Sequence, residues 1–109
     1  MVFGKHVRFY RLQRGWTQKN LAEQMEVSES YISKVECGRL HFGDYPSESF
    51  ICKLAEKLMV DKDELLMLAG KVPLSIRERM QDHPALFRKL GAADDATLVS
   101  IEAFLSRGK

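Results

Sequence analysis

Residues 16–38 read WTQKNLAEQMEVSESYISKVECG and predict two short helices joined by a tight turn. Thr17 and Ser28 are suitable N-cap residues, because each stands just before a segment whose apolar residues recur at helical spacing. The helix that begins after Thr17 is expected to run to about Met25, and the helix that begins after Ser28 is expected to cover residues 29–37. The link between them is so short that the two helices are expected to cross at a steep angle.

Three further helices flank this pair and complete the predicted core. Their expected bounds are about 3–13, from a cap at Ser47 to Val60, and from a cap at Asp61 to a stop before Gly70. Gly15 and Gly38 are expected to end the first and third helices in the left-handed conformation that glycine adopts easily. Several apolar side chains are expected in the core, including Phe3, Trp16, Val27, Ile32, Val35 and Leu54.

The chain changes in character after Gly70, where prolines and a glycine divide it into short pieces. Helices are expected near residues 75–82, 84–90 and 95–106. Their apolar residues are too numerous for free helices, so the core or a partner must cover them. The sequence therefore predicts an all-α chain with a five-helix domain at residues 1–70 and a helical extension at 71–109, the latter serving dimerisation or partner binding.

The distribution of charge is more informative than the net charge of +2. The first 22 residues contain no acid but five bases, whereas acids and bases balance from Pro46 onward; the bases are Lys5, Arg8, Arg11, Arg14 and Lys19. A run of one sign is less typical of a solvated helix face, which normally mixes signs to gain ion pairs. A localised basic region is the pattern that nucleic-acid binding requires.

The sequence lacks the patterns typical of membrane or secreted proteins, metal-binding proteins and enzymes. No apolar run approaches the roughly 18 to 20 residues that span a bilayer, and no signal peptide opens the chain, so we expect a cytoplasmic protein with its two cysteines reduced. His6, His41 and His83, taken with those cysteines, match no metal-ligand spacing. No nucleophile elbow, glycine-rich phosphate loop or metal-hydrolase motif is present, and we expect neither an enzyme nor a cofactor.

The helix pair resembles the lambda-repressor-like, XRE/Cro-type helix-turn-helix family of transcriptional regulators. The resemblance covers about residues 3–70 and rests on motifs at fixed offsets: Trp16-Thr17-Gln18, Leu21-Ala22, Ser28, Ile32-Ser33 and Glu36-Cys37-Gly38. The family commonly has glycine at the turn position that Glu26 occupies here. A left-handed backbone at that position costs a non-glycine residue about 1 kcal/mol, so the turn is expected to be strained.

The resemblance implies that the helix at 29–37 is a recognition helix entering the major groove of DNA. Its candidate base-reading residues are Glu29, Ser30, Tyr31, Ser33 and Lys34. Lys34 can donate to guanine O6 and N7, and the serines can donate or accept. Glu29 has two interpretations that stay open here, because it can accept from cytosine N4 or simply stabilise the helix dipole.

The resemblance also assigns residues to the DNA backbone and to the interior. Gln18 resembles a family glutamine that contacts phosphate at the start of the second helix. The other candidate backbone contacts are Thr17, Lys19, Arg14, Arg39, His41 and Tyr45. Arg11 aligns with a family arginine that pairs internally with the glutamate closing the third helix, here Glu36, and this pair is expected to be structural.

The function implied by the resemblance is that of a repressor or autoregulator of bacterial or phage type, associated with the nucleoid. It would bind a palindromic operator in double-stranded DNA as a homodimer. The alternative is a protein-interaction module, such as an antitoxin or a partner-controlled regulator, that works through the C-terminal extension. The segment Leu68-Ala69-Gly70-Lys71-Val72-Pro73 and the helices after it loosely resemble an extension found in regulators that work beside a peptidase or toxin partner.

Overall fold

The computed structural model describes residues 2–40 and 45–108, and within these ranges the regular structure is entirely helical. The helices are α1 (Val2–Gln13), α2 (Gln18–Met25), α3 (Glu29–Cys37), α4 (Glu48–Leu58), α5 (Lys62–Leu68), α6 (Leu74–Asp82), α7 (Pro84–Ala92) and α8 (Asp95–Arg107). The all-α class predicted from the sequence is confirmed. None of the described helices is long and apolar enough to cross a lipid bilayer.

The chain divides into two compact units, an N-terminal unit (Met1–Pro73) and a C-terminal unit (Leu74–Lys109). The N-terminal unit holds one apolar core to which all five of its helices contribute. The largest fully buried side chains are Phe3, Val7, Leu21, Ile32, Val35, Ile51, Leu54 and Leu65. Trp16 and Val27, also expected in the core, are half-buried and pack against it. Burial of this apolar surface is the main force that holds the five helices together.

Side-chain caps begin four of the five helices of this unit. Thr17, Ser28, Ser47 and Asp61 each accept a hydrogen bond from the backbone N–H three residues later, at 3.0 to 3.2 Å. Each bond satisfies one of the donors that a helix N-terminus leaves without an intrahelical partner. All four predicted caps are confirmed.

A left-handed residue follows each of the helices α1 to α4. Gly15 and Gly38 have φ of 72° and 69°, as predicted, and Glu26 adopts the same region at 58° in the turn between α2 and α3. Met59 does so as well, at 59°, and this makes α4 stop at Leu58. The predicted extension of α4 to Val60 is therefore wrong. The apolar periodicity continues through Val60, but that residue packs against the core from beyond the helix end.

We expect Glu26→Gly to stabilise the N-terminal unit by about 1 kcal/mol, because glycine adopts a left-handed backbone without the Cβ penalty. The exposed ion pair from Glu26 Oε2 to Lys53 Nζ, at 3.1 Å, would be lost, but such surface pairs contribute only about 0–1 kcal/mol. Glu26→Ala is the matched control, since it removes the pair and keeps the strained backbone. The free energy of unfolding in urea should be highest for Glu26→Gly, intermediate for the wild type and lowest for Glu26→Ala. A glycine variant no more stable than the alanine variant would contradict this prediction.

The C-terminal unit differs in burial, because no residue of α6, α7 or α8 is buried within the described residues 74–108. Asp94 caps α8 by accepting from the Thr97 backbone N–H at 2.8 Å, and hydrogen bonds from the Thr97 side chain and backbone lower the pKa of this carboxyl. Large apolar side chains remain exposed on α7 and α8, among them Leu86, Leu98, Val99, Phe104 and Leu105. The unit thus has well-formed helices without a core of its own.

Candidate nucleic-acid interface

Helix α3 turns one face to the core and the other to solvent. Ile32 and Val35 are each 1% exposed, whereas Glu29, Ser30 and Lys34 are exposed. Ser33, another predicted base-reading residue, is half-buried at the edge of this face. The outward face of α3 therefore presents short polar side chains and one cation, which are groups that can hydrogen-bond to base edges.

Tyr31 lies at the border between α3 and α4. Its ring packs edge-on against the Phe50 ring, with centroids 5.6 Å apart, and the residue is half-buried. This contact anchors the first turn of α3 to α4. The structure therefore gives Tyr31 a packing partner, and its predicted part in base reading stays a prediction.

The N-terminus of α2 is organised by a reciprocal cap. Thr17 Oγ1 accepts from the Asn20 backbone N–H at 3.0 Å, and Asn20 Oδ1 accepts from the Thr17 N–H at 2.9 Å. Asn20 was not singled out in the sequence, although its position three residues after a capping threonine is the signal of a capping box. This arrangement fixes the start of α2, where phosphate contacts are predicted from the sequence.

A buried hydrogen-bonded ion pair links α1 to α3. Arg11 Nε and Nη2 donate to the two carboxylate oxygens of Glu36, at 2.6 and 3.0 Å, and both residues are only 7% exposed. Arg11 Nη1 also donates to the Trp16 carbonyl oxygen at 2.8 Å. The structure thus brings together the two residues that the sequence paired, with the two-bond geometry that Arg and carboxylate favour.

Gln18 joins the same network. Its Nε2 donates to Glu36 Oε1 at 3.1 Å, so this side-chain amide is directed to the end of α3. Glu36 therefore accepts hydrogen bonds from residues of both α1 and α2. Through these bonds one carboxylate fixes the position of the C-terminal turn of α3 relative to the two other helices.

Gly4 brings α1 and α3 into close contact. A Cβ at this position would lie 2.4 Å from the Val35 carbonyl oxygen and 2.6 Å from that of Glu36. These are backbone atoms, which cannot rotate aside as a side chain can. Gly4 was not singled out in the sequence, where a glycine inside a helix indicates only that a packing reason should be sought.

The remaining predicted backbone contacts occupy different surroundings. The Arg14 guanidinium lies 5.0 Å from the centroid of the Trp16 ring and donates to Met59 Sδ at 2.8 Å. Lys19, Arg39 and Tyr45 are exposed. His41 lies outside the described residues. The DNA contacts assigned to these side chains stay predictions.

The five-helix core and the paired helices α2 and α3 define a helix-turn-helix domain. The model of the helix-turn-helix domain family matches residues 2–68, and the chain belongs to this family. The lambda-repressor-like, XRE-type resemblance drawn from the sequence is confirmed. The described residues contain no group of three or more His, Cys, Asp or Glu side chains that could hold a metal ion.

Two proteins of similar sequence are a transcriptional regulator and a repressor. The chain is 38% identical over 64 residues to the HTH-type transcriptional regulator SlrR of Bacillus subtilis, covering 59% of this chain and 40% of SlrR. It is 35% identical over 60 residues to the competence pilus inhibition repressor of Acinetobacter baylyi, covering 51% and 54% respectively. The chain thus matches about half or less of the length of these two relatives.

Solved structures show the same fold. The crystal structure of SinR, the master regulator for biofilm formation, in complex with DNA has 31% sequence identity and a TM-score of 0.51, and the match covers 59% of this chain and 97% of that one. A complex of SinR with SinI matches 97% of this chain with a TM-score of 0.53. Its identity is 20%, so this likeness concerns the fold alone.

Proposed function

We propose that this chain is a sequence-specific DNA-binding transcriptional regulator, a repressor or autoregulator that acts in the cytoplasm on double-stranded DNA. The observation that carries the proposal is the outward face of α3, where Ser30 and Lys34 are exposed while the opposite face is buried. The relatives named above are transcriptional regulators, and the SinR structure contains DNA. Both findings support this use of α3.

The polar side chains of α3 and of the start of α2 have distinct roles in this proposal. Lys34 donates to guanine O6 and N7, and Ser30 and Ser33 hydrogen-bond to neighbouring base edges. Glu29 accepts from cytosine N4 or stabilises the helix dipole. The Gln18 amide donates one N–H to Glu36, and its second N–H contacts phosphate beside the first backbone N–H groups of α2, which have no intrahelical acceptor.

We expect Lys34→Ala to weaken binding to the preferred DNA by about five- to a hundredfold, the effect of losing one specific base contact. The DNA is first selected from a random pool by the wild-type protein, and affinity is then measured by fluorescence anisotropy. Lys89→Ala, an exposed lysine of α7, is the matched control and should bind as wild type. Equal affinities for the two variants would show that Lys34 does not read the site.

The same titration repeated at several salt concentrations measures the phosphate contacts. Affinity for DNA should fall steeply as salt rises, because each neutralised phosphate releases counterions. The slope should be smaller for variants lacking a phosphate contact, and Arg39→Ala is the first to examine because Arg39 is exposed just beyond α3. Affinity that does not change with salt would rule out the backbone contacts as a main term.

We propose further that two copies bind a palindromic operator, with the C-terminal unit supplying the contact between them. Leu98, Ile101 and Leu105 recur at i, i+3 and i+7 along α8, and none of them is buried. A second copy would cover such a stripe, as in helix bundles. Two recognition helices would then lie about 34 to 36 Å apart, one turn of DNA, and each would read a half-site.

The alternative is that a different protein covers this stripe, as expected of an antitoxin or a partner-controlled regulator. Light scattering over a range of concentrations separates the two. A dimer that dissociates on Leu98→Ser and Leu105→Ser substitution supports the homodimer, whereas a soluble monomer with α8 exposed favours a separate partner. Ser100→Ala, on the same helix, is the control that should leave the association state unchanged.

A further inference from the structure

Exposed apolar side chains also occur on the N-terminal unit, away from the outward face of α3. Phe9 and Leu12 of α1 are each 55% exposed, and Met67 of α5 is 44% exposed. Lys5, Phe9 and Leu12 recur at i, i+4 and i+7, so they form one stripe of α1, distinct from the stripe that is buried in the core. Phe9, Leu12 and Met67 have no role in the DNA-binding site described above.

A groove runs between α1 and α5 beside this stripe. It has a volume of about 400 Å³ and is lined by His6, Tyr10, Glu64, Met67 and Leu68. A second depression on α1, lined by Lys5, His6, Phe9 and Tyr10, adjoins it through the two shared aromatic residues. The result is one continuous face of the N-terminal unit, which we call the α1–α5 face.

The two sides of the α1–α5 face carry opposite charges. Helix α1 contributes the exposed Lys5, which lines the second depression, and contains no acidic residue. The beginning of α5 carries three acids, Asp61, Asp63 and Glu64, and one base, Lys62, so its net charge is negative. The face therefore combines a basic side, an apolar groove and an acidic side.

This pattern of charge discriminates among possible occupants. A purely acidic peptide would be attracted to Lys5 but repelled by Glu64, and a purely basic one would meet the reverse. A second copy of the same face carries both charges, and its acidic side can lie opposite the basic side of the first copy. A two-fold axis through the groove would lay α1 of each copy against α5 of the other, because the same patch contacts itself in such an interface.

We propose that the α1–α5 face is a self-association surface, in which Phe9 of one copy enters the α1–α5 groove of a second copy and Lys5 pairs with Glu64 across the contact. Burying two phenylalanines and the neighbouring apolar groups supplies the attraction, and the paired charges fix the register. The contact requires neither DNA nor the C-terminal unit. It would join N-terminal units of neighbouring molecules in addition to any dimer formed through α8.

A photo-crosslinking experiment on the full chain without DNA tests the contact. The photoreactive residue benzoylphenylalanine replaces Phe9, and equal amounts of nitrogen-15-labelled and unlabelled protein are mixed and irradiated over a range of concentrations. We expect crosslinked peptides of mixed isotopic composition that join position 9 to residues 64–68. The same photoreactive residue at Met59, which is 74% exposed but outside the face, is the control and should give no such product.

Exchange of the two charges is the second test of the proposed contact. In the Phe9-substituted protein, Lys5→Glu or Glu64→Lys alone should reduce the mixed-isotope product several-fold, and the two together should restore it. Both residues are exposed, and circular dichroism checks that each variant keeps the fold. The proposal is overturned if position 9 gives no intermolecular product, if the product joins position 9 to a different element, or if the double exchange does not restore it. Because no DNA is present, these outcomes are independent of the proposed DNA binding.

Discussion

Glu36→Ala is expected to lower the free energy of unfolding of the N-terminal unit by about 3–5 kcal/mol, the cost of leaving one partner of a buried ion pair without the other. Arg11 is 7% exposed, and its guanidinium would lose the acceptors of its Nε and Nη2 donors. Gln18 would lose its acceptor as well. Denaturant unfolding measures the stability, and anisotropy with the selected DNA should show weaker binding even where the protein is folded.

Two further variants make this prediction specific. Glu23→Ala, at an exposed position of α2, removes the same charge without touching the network and should change stability by less than about 0.5 kcal/mol. Arg11→Met combined with Glu36→Leu removes both charges and should recover much of the lost stability, because apolar groups can replace a buried pair. An unchanged melting temperature for Glu36→Ala would show that the pair does not hold the helices together.

Gly4→Ala is expected to cost about 3 kcal/mol, at the upper end of the range for overpacking. The added Cβ would lie 2.4 Å from a main-chain oxygen of α3, so relief requires the two helices to move apart. That movement would shift α3 relative to α2, and DNA affinity should fall in the folded fraction of the protein. Thermal unfolding followed by circular dichroism, together with anisotropy, measures both effects.

Gly91→Ala is the matched control for this substitution. Gly91 also lies within a helix, α7, but an added Cβ there meets no heavy atom within 4 Å. Alanine should favour that helix by about 0.5–1 kcal/mol, because glycine is the poorer helix former. If both variants behave alike, the close approach of α1 to α3 is not what requires glycine at position 4.

The sequence predicted the five helices of the N-terminal unit because their signals are local. A cap such as Ser28 acts on the N–H three residues ahead, and a stop such as Gly38 acts within one helical turn. Apolar spacing likewise requires only a short window. Family resemblance added the pairing of Arg11 with Glu36, which lie 25 residues apart and which no local pattern connects.

The features that the sequence did not predict depend on contacts between residues distant in the chain or, at Met59, on backbone conformation alone. Gly4 by itself indicates only a weak point in α1, since its role depends on the α3 backbone that packs against it. The Gln18 side chain was predicted to contact phosphate, and the structure adds a hydrogen bond to Glu36 from the other end of the helix pair. Met59 ends α4 through its backbone conformation, and no side-chain pattern marks that conformation in a methionine.

The absence of buried residues in the described part of the C-terminal unit has a consequence for amide hydrogen exchange. Opening a helix such as α8 exposes little additional apolar surface, so its amides should exchange through local fluctuations of low free energy. The amides of α1–α5 are protected by the core and should exchange far more slowly. A molecule that covers the Leu98 and Leu105 side of α8 would slow exchange in that helix first, so deuterium uptake there reports directly on its occupancy.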